Sequence, residues 1–229
     1  MVEQNGHRPS VTIHYAQTLD GRIATRTGHS QWISGEGSLV LAHQLRATHQ
    51  AVMVGLRTVI ADNPHLTLRL TSGESPLRIV ADSSLRLPLE TNLLTDGAAP
   101  TLIATTRRAT EERIRAVRRC GAEVLVADED CNGRVDLVDL LRLLGRRGIH
   151  SILIEGGGTL ITSVLRQRLV DRLVVCIAPK VIGAGIDAVG DLNIMRLSEA
   201  MTFTHASFSP AGEDVIFDGQ LCCEPAIDG

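Results

Sequence analysis

The chain has 229 residues, of which 44% are hydrophobic but only 2% aromatic, and its formal net charge is −3. That length allows one large domain or two small ones built on an aliphatic core, and the weak charge gives no reason to expect nucleic acid or an acidic membrane surface as partner. No apolar run approaches the roughly 20 residues that span a bilayer, and the polar first ten residues do not read as a signal peptide, so a soluble, cytoplasmic protein is predicted.

In chain order, residues 11–19 read as a strand in which Val11, Ile13 and Tyr15 alternate with Thr12, His14 and Ala16. An Asp20-Gly21 turn and a polar stretch holding the only tryptophan, Trp32, follow. Ser34 can cap the next helix, with Glu36 in its first turn. Residues 51–55 form a short buried strand closed by Gly55. A brief helix at 58–61 stops at Asp62-Asn63-Pro64. Further strands are predicted at 77–81, 100–105 and 123–127, with a charged helix over 110–120. Residues 135–147 form an amphipathic helix with Leu137, Leu140, Leu141 and Leu144 on its apolar face. The gap 86–99 reads as a loop. Two antiparallel strands over 201–221, joined around Ser209-Pro210-Ala211-Gly212, close the fold. Strands alternating with helices predict an α/β fold with a mainly parallel central sheet, flanking helices and a C-terminal antiparallel hairpin. One domain is expected over 1–229, with flexible tails at 1–10 and 222–229.

The most informative stretch is Ile152-Leu153-Ile154-Glu155-Gly156-Gly157-Gly158-Thr159-Leu160. A β-branched run ends at an acid, three glycines follow, and Leu160, Ile161, Val164 and Leu165 recur at helical spacing. The run 173–178 then supplies a second strand. Glycines allow a tight turn and close approach of the backbone to a ligand. The free N–H groups and positive dipole end of the following helix favour phosphate or pyrophosphate. Glu155 then sits at the carboxyl end of a strand, where open α/β sheets place their ligands.

Other chemistries lack their signatures. No G-x-G-x-x-G with an acid at the right offset, no G-x-x-x-x-G-K-[ST] and no G-x-S-x-G occur. H-E-x-x-H and the zinc deaminase pattern are also missing, so no metal site is expected. Five cysteines at irregular spacing, without C-x-x-C, argue against a disulfide framework or a zinc ribbon. Cys176 reads as a small core hydrophobe, and Cys222 and Cys223 as exposed thiols. Arg46, Arg57, Arg69, Arg78, Arg107 and Arg108 lie near predicted element ends and are candidates for holding an anion.

Several runs together resemble a known family. They are Tyr15-Ala16-Gln17-Thr18-Leu19-Asp20-Gly21-Arg22-Ile23-Ala24, Ser30-Gln31-Trp32-Ile33 and Leu45-Arg46-Ala47. Thr58-Val59-Ile60-Ala61-Asp62-Asn63-Pro64, Leu66-Thr67-Leu68-Arg69, Val80-Ala81-Asp82-Ser83, the Glu155 glycine run and Ala178-Pro179-Lys180 continue the series. From 11 to 221, the chain resembles the pyrimidine reductase of riboflavin biosynthesis, the reductase half of the bacterial deaminase–reductase, here standing alone. The resemblance implies a dihydrofolate reductase-like fold, NADPH as cofactor and a homodimer. It also implies a reaction, in which the sugar of a phosphoribosylamino-pyrimidine opens and hydride reduces the imine-like carbon to a ribitylamino chain. By position, Ser30, Arg46, Leu66, Arg69 and Glu155 match substrate contacts, with Arg46 and Arg69 at the ribose phosphate. Ala16, Trp32, Thr58, Asp62 and Ser83 match cofactor contacts, as does 157–163, which includes Gly157, Gly158, Thr159 and Leu160. Glu155 is the candidate catalytic residue, holding the substrate and handling a proton. The chain departs from many bifunctional members at His14, where they carry lysine. Two other readings stay open: a reductase of the same fold acting on a pterin or other heterocycle, and a non-catalytic nucleotide-binding module. The resemblance does not choose between the deaminated and undeaminated pyrimidine.

Overall fold

The computed structural model describes residues 8–222. The chain starts with β1 (Ser10–Thr18), β2 (Arg22–Thr25), α1 (Glu36–Thr48), β3 (Ala51–Gly55), α2 (Leu56–Asp62) and β4 (Leu77–Ala81). Then come α3 (Asn92–Thr95), β5 (Thr101–Thr105), α4 (Glu111–Arg119), β6 (Glu123–Val126) and α5 (Leu137–Arg146). The last part holds β7 (Ser151–Glu155), α6 (Gly158–Arg166), β8 (Arg172–Ala178), β9 (Gly185–Asp187), β10 (Phe203–Ala211) and β11 (Asp214–Leu221). Two compact units divide these elements. Among the described residues, one takes His43–Leu153 with residues 8–10, and the other takes Val11–Ala42 with residues 154–222.

In the first unit β3, β4, β5 and β6 pair in that order, all parallel. Continuous apolar runs suit this arrangement, because parallel strands are covered on both faces. Ala51 to Val54, Ile79, Val80 and Leu102 to Ala104 are accordingly buried. The four leucines expected on the apolar face of α5 are buried too. Its start falls two residues later than predicted, because the Asp136 carboxylate accepts the N–H groups of Val138 and Asp139 at 2.8 and 3.0 Å and caps the helix. Thr110 caps α4 by accepting from the N–H of Arg113, with Glu111 and Glu112 in the first turn and Arg118 and Arg119 in the last, matching the helix dipole at both ends.

The expected loop at 86–99 contains α3, which is too short to show a period. Arg78, a candidate anion ligand, is instead 1% exposed and structural. Its guanidinium pairs with Asp96 at 2.9 Å and donates to the carbonyls of Leu93 (3.1 Å) and Ala99 (2.7 Å). A cation with those partners has no place for a second anion.

In the second unit β1 lies parallel to β8, β11 runs antiparallel to β8, and β10 pairs antiparallel with β11. The mainly parallel strands and the closing hairpin are thus present as predicted. The turn, however, falls at Gly212, with φ 68°, because Ser209, Pro210 and Ala211 still pair with Ile216, Val215 and Asp214. Pro210 is tolerated there because β10 is an edge strand. The alternation read in β1 does not separate two faces: Val11, Thr12, Ile13, His14 and Tyr15 are all buried. His14 lies with its Nε2 3.5 Å from the Cys176 sulfur, and Cys176 is a core residue as expected. Gly35, rather than Ser34, precedes α1. The buried Asp214 carboxylate takes the Gly35 N–H at 2.7 Å and the Ser38 hydroxyl at 2.5 Å. β2 and β9, not predicted as strands, form a small antiparallel ribbon.

Of the expected tails at 1–10 and 222–229, residues 1–7 and 223–229 lie outside the described residues, Cys223 among them. Within the described residues Ser10 already belongs to β1, and Cys222, half-buried, donates its N–H to the Thr202 carbonyl at 3.0 Å.

Candidate active site

The glycine run adopts the conformation its sequence requires. Glu155 ends β7 half-buried, and Gly156 and Gly157 follow at φ 72° and 83°. Side-chain-bearing residues enter that region only at a cost of roughly 1–2 kcal/mol. α6 starts at Gly158 with Gly157, which has no side chain to offer, as its N-cap, and no acid sits in its first turn. Its positive end is therefore not neutralised by the helix itself. Leu160, Ile161, Val164 and Leu165 bury the opposite face and hold the helix in place. Gly158 has a different reason to be glycine. A Cβ there would lie 2.5 Å from the carbonyl oxygen of Asp187 in β9.

Other residues predicted for the site in the same unit are placed by β1 and the loop after β2. Ala16, half-buried, pairs with Cys176. Ser30 is half-buried. Trp32 is 79% exposed at φ 63°, so it is a surface side chain and not part of the core. The Lys180 ammonium donates to the carbonyls of Trp32 (2.6 Å) and Ile33 (2.9 Å).

The first unit brings Arg46, Leu66 and Arg69 together. Arg46 lies in the last turn of α1, and its Nη1 donates to the Thr67 carbonyl at 3.0 Å. Leu66 is 3% exposed at φ 53° and anchors the segment between the arginines. The Arg69 N–H donates to Nδ1 of His43 at 3.0 Å, leaving its side chain exposed. His43, buried one turn before Arg46, therefore helps shape this cluster, a role the sequence reading missed. Its spacing of three from Arg46 was the available signal. Thr58 and Asp62 lie four apart on α2, where Asn63 takes a left-handed conformation at φ 39° and ends the helix. Ser83 follows the carboxyl end of β4. Its hydroxyl accepts the Val135 N–H at 3.0 Å, and its carbonyl accepts from Thr106 beyond the end of β5. Thr58 in the first turn of α2, Ser83 after β4 and Thr106 after β5 thus follow the carboxyl ends of three parallel strands, the edge where α/β sheets place ligands. Arg108 is tied to the Gly133 carbonyl, while Arg57 and Arg107 are exposed.

Burial pushes the Tyr15 phenol up to about 12 and the Cys176 thiol up as well, so both stay neutral near pH 7. The hydrogen bond from Thr18 holds the Asp20 carboxyl below the usual range, assisted by the N–H groups of Gly183 and Ile182. Among the described residues no cluster of three or more His, Cys, Asp or Glu could hold a metal ion. No helix among them is long and apolar enough to cross a membrane.

Comparison with known proteins decides the family. A family model described as the RibD C-terminal domain matches residues 9–217. The chain belongs to the RibD C-terminal domain family. One relative, the riboflavin biosynthesis protein RibD of Aquifex aeolicus, is 38% identical over 91% of this chain and 57% of its own length. The 2,5-diamino-6-ribosylamino-4(3H)-pyrimidinone 5′-phosphate reductase of Methanothermobacter thermautotrophicus is 41% identical over 92% of this chain and 97% of its own. Among solved structures, a deaminase/5-amino-6-(5-phosphoribosylamino)uracil reductase from Thermotoga maritima superposes with TM-score 0.73 at 27% identity, covering 94% of this chain and 57% of that one. The chain thus spans little more than half the length of the RibD proteins it matches, and nearly all of the archaeal reductase. A single RibD family model runs through both compact units.

Proposed function

We propose that this chain reduces the ribosyl group of a phosphoribosylamino-pyrimidine to the ribitylamino product in riboflavin biosynthesis, with NADPH as reductant. The substrate is 5-amino-6-(5-phosphoribosylamino)uracil or its diamino-pyrimidinone precursor. The observation that carries this reading is the start of α6: a glycine turn with two positive φ angles, directly after Glu155, leading into a helix whose N-cap is a glycine and whose first turn holds no acid. Those features fit a pyrophosphate, and they belong to a chain whose relatives are named as reductases. Gly157, Gly158, Thr159 and Leu160 receive the pyrophosphate, and Ala16, Trp32, Thr58, Asp62 and Ser83 contact the rest of the cofactor.

NADPH, when bound, supplies the hydride that adds to the imine-like carbon of the opened sugar. A proton must reach the adjacent nitrogen, and Glu155 is the group proposed to hold the substrate and handle that proton. Arg46 and Arg69 supply guanidinium groups for the phosphate, with Leu66 fixing the segment that carries Arg69. Ser30 takes a substrate hydrogen bond. Orientation of the two reactants is then the protein's main contribution. A homodimer and a cytoplasmic setting complete the reading.

NADPH oxidation measured with each of the two pyrimidines tests the proposal. Turnover with either supports it. NADPH binding without turnover on both points to a reductase of another heterocycle, and no binding at all defeats the reading.

A further inference from the structure

Two runs of the chain have no role in the proposed chemistry: the Thr18-Leu19-Asp20-Gly21-Arg22 turn and Lys180. Both are tied to one segment, residues 180–191. Its first residue, Lys180, donates its ammonium to the carbonyls of Trp32 and Ile33, and its carbonyl accepts the Leu19 N–H at 2.8 Å. Next along the chain, the Asp20 carboxylate accepts the N–H groups of Ile182 (3.3 Å) and Gly183 (2.7 Å), while the Thr18 hydroxyl donates to it at 2.6 Å. Arg22 then pairs with Asp187, and β2 with β9. Finally the segment runs along one stripe of α6. The Asp187 carbonyl meets Gly158, the Gly190 N–H donates to the Thr162 hydroxyl at 2.8 Å, and Arg166 donates to the Asp191 carbonyl. Positions 158, 162 and 166 lie four apart, so they share one face of the helix.

We propose that residues 180–191 form a strap whose two ends fix the Trp32 loop and the first turn of α6, and that Lys180 and Asp20 are positioning residues for the cofactor acting through it. This rests on the reading that Trp32 and the start of α6 contact NADPH. Trp32 holds a positive φ in an exposed loop and needs an external tether to stay in one place. The Lys180 ammonium supplies two hydrogen bonds to the backbone immediately after that strained torsion, at the carbonyls of Trp32 and Ile33. Asp20 keeps the strap itself from peeling away, since it takes two consecutive backbone N–H groups that would otherwise face water. Neither Lys180 nor Asp20 needs to touch the cofactor to set its affinity. A loosened loop lowers the fraction of molecules ready to bind, and apparent affinity falls with that fraction.

Trp32 is the only tryptophan, so its fluorescence reports on one end of the strap directly. In the full chain, Lys180→Met should add a fast nanosecond depolarisation to the Trp32 anisotropy decay and raise the dissociation constant for NADPH about tenfold. kcat at saturating NADPH should stay within about twofold, because no reacting group is removed. Lys180→Arg retains the donors and should restore both readouts, and Asp20→Asn should weaken NADPH binding in the same direction as Lys180→Met. An unchanged anisotropy decay or an unchanged dissociation constant in Lys180→Met overturns the strap, as does failure of Lys180→Arg to rescue. If the wild-type chain itself does not bind NADPH, the proposed function falls before any variant is compared, and the strap's role toward the cofactor falls with it.

Discussion

The carbonyl oxygen of Asp187 stands 2.5 Å from the point that a Cβ on Gly158 would occupy. Side-chain carbons do not approach backbone oxygen that closely, and the obstacle is itself backbone, so Gly158→Ala must displace β9 or the start of α6. Overpacking of this kind costs roughly 1–3 kcal/mol. Gly156→Ala and Gly157→Ala fail for a different reason, the positive φ, at roughly 1–2 kcal/mol each. Urea unfolding of the three variants should therefore place Gly158→Ala lowest. The result is wrong-signed for this account if Gly158→Ala is as stable as wild type.

Glu155 ends β7 at the glycine turn, which is where the proposed chemistry needs a proton-handling group. Glu155→Gln keeps size and hydrogen-bonding shape but cannot exchange a proton. Its kcat should fall by about 10²–10⁴-fold, the range of a lost general acid or base, with NADPH affinity near wild type. Steady-state turnover unchanged in this variant would remove Glu155 from the reaction.

The proposed phosphate contact gives Arg46 a second part beside its observed bond to Thr67, and the two separate experimentally. Its Nη1 already holds the Thr67 carbonyl, so removal loosens the 66–69 segment as well as deleting a charge. Arg69 is tethered through its backbone N–H to His43, and replacing its side chain leaves that bond intact. Arg69→Ala should therefore raise KM for the phosphorylated pyrimidine about 10- to 100-fold, the loss of a charge-assisted hydrogen bond, with kcat little changed. Arg46→Ala should do the same and also lower stability. On a dephosphorylated analogue the wild type and Arg69→Ala should perform alike. A selective loss there would place Arg69 away from the phosphate.

The parts of this protein legible in its sequence are those set by neighbours in the chain. β3 and β4 fall at 51–55 and 77–81 as read, since each is a short apolar run with turn or polar residues at its borders. The leucines of α5 declare their face through spacing alone. Gly156 and Gly157 announce positive φ because other residues avoid it. Long-range partners were not legible. Arg78 resembles an anion ligand until Asp96, Leu93 and Ala99, fifteen to twenty-one residues away, surround it. Helix α3 has four residues and is fixed by that same arginine, so it shows no period. The β2–β9 ribbon joins 22–25 to 185–187, strands too short to carry an alternating pattern. At the site, His43 and Asp187 were missed for the same reason: each acts on a residue that only the fold brings near.

Tyr15 offers a test of the core of β1 that needs no substrate. It is 8% exposed, it is the only tyrosine, and burial pushes its phenol up to about 12 from an ordinary value of 10. The folded state thus favours the neutral form. Below pH 10 both folded and unfolded chains keep the proton, and the stabilisation is fully present. Between pH 10 and 12 the unfolded chain ionises while the folded one resists, so stability falls as pH rises, by up to about 3 kcal/mol for a shift of this size. Tyr15→Phe should abolish that part of the alkaline loss. Absorbance at the phenolate band follows this single group: the native midpoint should lie near 12 and the midpoint in denaturant near 10. Equal midpoints would show that the Tyr15 side chain is open to water and would overturn the two-sided burial of the strand that leads to Ala16.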